Sequence, residues 1–204
     1  MKRKIILIIL VFLFNMVWVN AITVTNEFAV KNNLLIKISQ KTKLNNTRVM
    51  DDLDVMLDNN LTYEGVDAVT VGNKINNYLK GELSGYGELI AKYSIVNEIN
   101  PYLVGAFIVE NAECDETCSV LVTKCNNVGK LLYNKDNLTN TACFGGYYQN
   151  FKSIDDSIKS YIKYIKSNFY DKELTTPATI YKTYNKDVRW VFRVNNLIDG
   201  IKNS

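Results

Sequence analysis

The sequence has no histidine, and this absence removes several classes of site at once. Ser-His-Asp and Cys-His catalysis both depend on an imidazole base, and many zinc sites depend on an imidazole ligand. We therefore expect no such catalytic group, no metal site and no cofactor. Proline is also scarce, with two residues in 204. The chain has no internal repeat and no low-complexity linker, so a single domain is the economical interpretation.

Cysteine is equally sparse, and its four copies lie close together at Cys114, Cys118, Cys125 and Cys143. A Cys-x₃-Cys pair followed by single cysteines is a poor zinc pattern. Two disulfides are the better prediction for an exported chain, and the spacing leaves all three pairings open.

The N-terminus has the features of a secretory leader. Lys2, Arg3 and Lys4 precede an apolar run at residues 5–19, and Val19-Asn20-Ala21 has the small residues that a signal peptidase reads. We predict a signal peptide at residues 1–21 with cleavage after Ala21, an uncleaved anchor being the alternative. The expected location is the bacterial cell wall or the medium, with no stable membrane insertion after cleavage.

The net charge of the mature chain argues against one large class of partner. Loss of the leader removes three basic residues and no acidic ones, so the formal charge of +3 falls to zero. Binding to nucleic acid through bulk positive charge is therefore not expected.

Hydrophobic periodicity predicts a mostly helical domain at residues 70–204, preceded by an N-terminal extension at residues 22–69. Helical patterns cover residues 70–83, 88–96, 178–184 and 187–201. Another amphipathic helix begins after Ser153, which has a capping relation to Asp156 three residues on. The predicted fold class is α+β, mostly α, with a small β-hairpin lobe.

The stretch at residues 100–112 is predicted to be the central buried helix. Asn100 suits the cap position and Pro101 the first helical position. Apolar side chains then occupy every face, which is typical of a helix inside a core. A single carboxylate, Glu110, shares a stripe with Leu103, Ala106 and Phe107.

Burial without a cation favours the protonated form of a carboxyl group. A protonated carboxyl is what a general acid needs in order to protonate a glycosidic oxygen. Glu110 is therefore a candidate acid. The alternative is a side chain at the helix end that is turned outward or paired with a lysine.

Residues 113–151 interrupt the helical pattern with cysteines, Asn pairs and glycines. Short runs at 130–133 and 146–151 predict a small hairpin or irregular lobe, connected through residues 134–143. Such a lobe beside a buried helix often forms a binding cleft.

An ordered series of motifs also carries a family resemblance. The series is Leu83-Ser84-Gly85-Tyr86-Gly87, Ile99-Asn100-Pro101-Tyr102-Leu103, Ala106-Phe107-Ile108-Val109-Glu110, Asn126-Asn127-Val128-Gly129, Tyr148-x-x-Phe151 and Trp190-Val191. It resembles the N-acetylglucosaminidase domain of glycoside hydrolase family 73 over residues 70–201. The resemblance implies a lysozyme-like fold and cleavage of peptidoglycan glycan strands.

The resemblance also implies roles for individual residues. Glu110 corresponds to the family's proton donor, and Asn126, Asn127 and Gly129 correspond to a motif that lines the cleft. Tyr148 and Phe151 fall at the cleft, where either could stack on a sugar face, although each could equally be a core residue. Tyr184 and Trp190 match as well, and we interpret them as packing residues.

The chain departs from the family directly after Glu110, where the usual glycines are missing and Glu113, Asp115 and Glu116 occur instead. These three lie close to Glu110 in sequence, so Asp136 is the better candidate for a second catalytic carboxylate. The substrate's own N-acetyl group could replace it. Lys130 stands where the family often has a second glycine.

The resulting expectation is a monomeric, exported endo-β-N-acetylglucosaminidase that acts on peptidoglycan glycan strands. A lytic transglycosylase and a catalytically degenerate protein for cell-wall binding or assembly are the alternatives.

Overall fold

The computed structural model describes residue 52 and residues 54–135 and 141–204. The predicted signal peptide and most of the predicted extension lie outside the described residues. Residues from Asp54 to Ser204 form one compact unit, which therefore includes residues 54–69 of the predicted extension. Within the described part, no helix is both long and apolar enough to span a bilayer.

The described residues are mostly helical, with two small antiparallel hairpins, which confirms the predicted α+β, mostly α, class. The helices are α1 (Ala68–Asn76), α2 (Gly87–Val96), α3 (Pro101–Ala112), α4 (Val120–Cys125), α5 (Ile154–Asn168), α6 (Pro177–Tyr184) and α7 (Val188–Asn203). The strands are β1 (Thr62–Tyr63), β2 (Val66–Asp67), β3 (Thr141–Cys143) and β4 (Tyr148–Asn150), and 3₁₀ turns occur at Gly81–Leu83 and Tyr170–Lys172.

Helix α3 is the central buried helix, as predicted. The Asn100 side chain accepts hydrogen bonds from the N–H groups of Tyr102 and Leu103, and Pro101 occupies the first turn. Almost every residue from Pro101 to Ile108 is buried. Because α3 packs against both α2 and α7, the end of α3 is fixed from two sides.

Helix α1 is shorter than the pattern at residues 70–83 predicted. Asp67 caps its start by accepting from the Thr70 N–H at 2.8 Å. The helix ends at Asn76, and Gly81 then takes a φ of +54°. Because this left-handed conformation cannot continue a right-handed helix, Leu83, the last apolar residue of the pattern, belongs to a separate 3₁₀ turn.

The β lobe contains the two predicted runs side by side. The Tyr133 N–H donates to the Tyr147 carbonyl at 2.8 Å, and the Gln149 N–H donates to the Leu131 carbonyl at 3.0 Å. Strand β4 also pairs with β3, in the register Thr141–Asn150 to Cys143–Tyr148. The connection predicted at residues 134–143 therefore supplies a strand of its own.

The cysteines pair as Cys114 with Cys118 and Cys125 with Cys143. The first pair closes a short loop directly after α3. The second joins the last residue of α4 to the last residue of β3, so the β lobe is covalently tied to the helical part of the chain.

Candidate functional site

A cleft of about 660 Å³ lies between the helical part of the unit and the β lobe. Its volume is in the range of cavities that hold small ligands. The helical wall contributes two amides and two tyrosines, and the other wall contributes a glycine, a lysine, two leucines, a tyrosine and two amides. The lining residues are Asn111, Gly129, Lys130, Leu131, Leu132, Asn134, Tyr148, Gln149, Tyr164, Tyr184 and Asn185.

Glu110 lies in the last turn of α3 and is paired with a cation. Arg193, on α7, donates from Nε to Oε1 of Glu110 at 2.8 Å, and Nη2 lies 2.7 Å from the same oxygen. The Glu110 side chain is 20% exposed and that of Arg193 is 50% exposed. The hydrogen bond to Glu110, followed by its charge, raises the pKa of Arg193 above the usual value.

This ion pair corrects one premise of the sequence argument. Glu110 is partly buried, as expected, but it is not without a cation, and the cation is an arginine rather than a lysine. The guanidinium holds Oε1 of Glu110, whereas a general acid must present its carboxyl to the glycosidic oxygen. Arg193 therefore has to move away before Glu110 can act as an acid.

Glu110 borders the cleft without lining it. The next residue, Asn111, does line the cleft, as does Tyr184. Burial raises the pKa of the Tyr184 phenol, and the Glu110 charge adds a smaller contribution in the same direction. The carboxylate is therefore close enough to act electrostatically on a group in the cleft wall.

Three polar side chains form a hydrogen-bonded triangle behind the cleft. Asn111 Nδ2 donates to the hydroxyl of Tyr161 at 2.8 Å and to that of Tyr184 at 2.7 Å. The two hydroxyls are 2.9 Å apart. Tyr161 is fully buried, and burial raises its pKa well above the usual value. The triangle ties α3, α5 and α6 together and fixes the orientation of Tyr184 at the cleft.

The Asn-Asn-x-Gly motif builds the cleft wall rather than presenting amides to a ligand. Asn127 is 1% exposed. Its amide accepts from the Leu131 N–H and donates to the Leu131 and Gln149 carbonyls, each at 2.9 Å. Asn126 is left-handed, with a φ of 50°, and donates to the Phe151 carbonyl. Asn127 is thus buried with its amide hydrogen-bonded inside the fold, and Asn126 also uses its amide nitrogen within the fold.

Gly129 is the motif residue that does line the cleft. A Cβ on Gly129 would lie 2.3 Å from Cδ2 of the Tyr161 ring. Only glycine fits between the cleft and this ring. The preceding Val128 N–H is held by the Ser157 hydroxyl at 3.0 Å, which fixes this part of the wall on α5.

The other predicted site residues differ in whether they line the cleft. Tyr148 is partly exposed and lines the cleft. Phe151 is 7% exposed and is a core residue, so it offers no open face for stacking. Asp136 lies outside the described residues.

Sequence reasoning missed Arg193 and the contact between Glu113 and Lys130. Arg193 follows the buried Trp190 by three residues and precedes the buried Val194. This helical spacing places it at the edge of the buried face of α7, which was an available signal. Nothing local indicated that it would meet Glu110, which is 83 residues away.

No protein-family model matches the chain, and no curated protein matches it at a significant level. Among residues 52, 54–135 and 141–204, no group of three or more His, Cys, Asp or Glu side chains is placed to hold a metal ion.

Proposed function

We propose that the protein is an exported peptidoglycan hydrolase that cleaves the glycan strand as an endo-β-N-acetylglucosaminidase, with Glu110 as general acid. The observation that carries this proposal is the position of Glu110 at the end of the buried helix, beside a cleft of about 660 Å³. The family resemblance of the motif series supports the same assignment.

The chemistry of the cleft suits an N-acetylated sugar chain. Amides donate and accept hydrogen bonds, so Asn134 and Gln149 can serve sugar hydroxyls and acetamido groups. Tyr148 and Tyr164 bring aromatic rings to the same cavity, and aromatic side chains combine a large apolar surface with a polar hydroxyl.

The catalytic step requires that Arg193 release Glu110. Half of the Arg193 side chain is exposed, and exposed ion pairs contribute little to stability. A bound glycan can therefore displace the guanidinium at little cost. The Glu110 carboxyl would then face the bound glycan without its cation and could act as a general acid. It would donate its proton to the oxygen of the glycosidic bond, and water would complete hydrolysis.

The test is clearing of purified peptidoglycan by the full mature chain and three variants. We expect Glu110→Gln to lower the rate at least ~100-fold, as loss of a general acid does. Arg193→Gln should retain clearing, because Arg193 holds the acid only in the resting state. Glu98→Gln is the matched control, since Glu98 is an exposed carboxylate on another surface. Equal clearing by wild type and Glu110→Gln would refute the proposal.

The Arg193–Glu110 pair also favours a second candidate, a cell-wall-binding protein without turnover. In that case the pair is a permanent structural contact and the cleft only binds glycan. Sedimentation with peptidoglycan by wild type and Glu110→Gln alike, with no release of reducing ends by either, would support this candidate and refute catalysis.

A further inference from the structure

As far as the structure describes it, the wall of the cleft has a single charged side chain. Among the described residues that line it, Lys130 carries an ammonium group and all the others are neutral. A neutral wall suits hydroxyl and amide groups, whereas an ammonium group suits an anionic one.

The backbone conformation at position 130 is unfavourable for a lysine. Lys130 has a φ of 52°, a left-handed conformation that glycine adopts freely and that costs other residues about 1 kcal/mol or more. A glycine would therefore fit this position better on local grounds. Strained residues of this kind cluster at functional sites.

A carboxylate already occupies one side of the ammonium group. Lys130 Nζ lies 2.5 Å from Oε1 of Glu113, the left-handed residue that ends α3. The two side chains are 37% and 63% exposed, so the pair contributes little stability. An ammonium has three N–H donors, so contact with Glu113 does not exhaust its capacity. Lys130 therefore already holds one carboxylate, that of Glu113, beside the cleft wall.

We propose that Lys130 recognises a carboxylate carried by the glycan in the cleft, which makes the site selective for acidic over neutral chains. This inference rests on the proposed binding of peptidoglycan strands. The carboxylate belongs to the lactyl ether of N-acetylmuramic acid or to the peptide attached there. Lys130 is a specificity residue and takes no part in bond cleavage.

The experiment measures binding of three saccharides of equal backbone length to the mature Glu110→Gln chain, which prevents turnover. They are chitotetraose, which has no carboxylate, a tetrasaccharide of alternating N-acetylglucosamine and N-acetylmuramic acid, and the same tetrasaccharide with its stem peptides. We expect ~10-fold tighter binding of at least one acidic saccharide than of chitotetraose, a typical value for a hydrogen bond to a charged group. The acidic saccharide that binds better identifies the source of the carboxylate.

Two variants in that background test the residue. Lys130→Gln should lose the preference for the acidic saccharide and keep its affinity for chitotetraose. Lys124→Gln, which removes an exposed lysine from α4 outside the cleft wall, should keep the preference. Equal binding of acidic and neutral saccharides, or an unchanged preference in Lys130→Gln, would overturn the role of Lys130 alone. Binding of none of the three would overturn the proposed function as well.

Discussion

At the scale of single residues, two asparagine side chains at the cleft are hydrogen-bonded within the fold. The Asn127 amide is hydrogen-bonded to both the N–H and the carbonyl of Leu131. The Asn111 amide donates to two tyrosine hydroxyls. A buried amide that is fully hydrogen-bonded is stabilising, whereas one left unpaired costs about 1–3 kcal/mol. The shape of the cleft therefore depends on hydrogen bonds that its wall residues make within the fold.

Gly129 provides the sharpest test of this view. Gly129→Ala would place a methyl group 2.3 Å from the buried Tyr161 ring. Because the ring is enclosed and hydrogen-bonded, we expect a loss of about 1–3 kcal/mol in the free energy of unfolding. Urea unfolding followed by circular dichroism measures this loss.

Lys124→Ala is the control for Gly129→Ala, since an exposed position on α4 should change stability by less than ~0.5 kcal/mol. If Gly129→Ala is as stable as this control, the close contact with Tyr161 is not a constraint on the wall.

At the scale of elements, the β lobe depends on few internal contacts. Strands β3 and β4 have three residues each, and an isolated hairpin of this size is marginal in water. The Cys125–Cys143 bond and the Asn127 amide compensate by fixing the lobe to α4 and to the cleft loop. One wall of the cleft thus depends on a crosslink.

The two disulfides should differ in their effect on stability. Replacing both Cys125 and Cys143 by Ala removes a crosslink over a sequence separation of 18. Loop-closure entropy predicts that the free energy of unfolding falls by about 3 kcal/mol. The same change at Cys114 and Cys118, with a separation of 4, should cost about 2 kcal/mol. Urea unfolding of both double variants compares the two.

Hydrogen exchange then localises the effect of the Cys125/Cys143 variant. Amides of β3 and β4 should exchange faster, while those of α3 and α7 keep their protection. If exchange becomes faster throughout the unit, or if it does not become faster in β3 and β4, this bond does not hold the lobe in place.

The same elements explain how far prediction from sequence reached. Helix α3 and its Asn100 cap, the Ser153 cap of α5 and the paired runs of the lobe follow from local spacing, and the structure confirms them. The strand β3 was not predicted, because its three residues are too few to show an alternating pattern and its pairing with β4 decides its conformation.

The candidate site was less accessible to prediction than the fold, because its key contacts are distant in sequence. Motif spacing predicted Glu110, which lies beside the cleft, and Gly129, which lines it. The approach of Arg193 to Glu110 and of Lys130 to Glu113 depends on how α7 and the lobe pack. The inward turn of Asn127 depends on Leu131 and Gln149 in the same way.

At the scale of the whole unit, three helices converge behind the cleft on tyrosines that should remain protonated. Burial raises the pKa of Tyr161 well above 10, and it also raises the pKa of Tyr184. In the unfolded chain a tyrosine loses its proton near pH 10. The folded state therefore holds these protons more tightly than the unfolded state does.

Stability should consequently fall under alkaline conditions. The contribution of these tyrosines is fully present below about pH 10 and is lost as the pH rises above that value, because only the unfolded state then ionises. For each such tyrosine the free energy of unfolding should fall by about 1.4 kcal/mol per pH unit, up to its folded pKa.

Urea unfolding at about pH 8 and about pH 11 measures how steeply the free energy of unfolding falls with pH. Tyr161→Phe should make this pH dependence weaker. Tyr147→Phe, at a residue 74% exposed, should leave the pH dependence unchanged. An identical slope in wild type and Tyr161→Phe would mean that this hydroxyl ionises as readily in the folded chain as in the unfolded one.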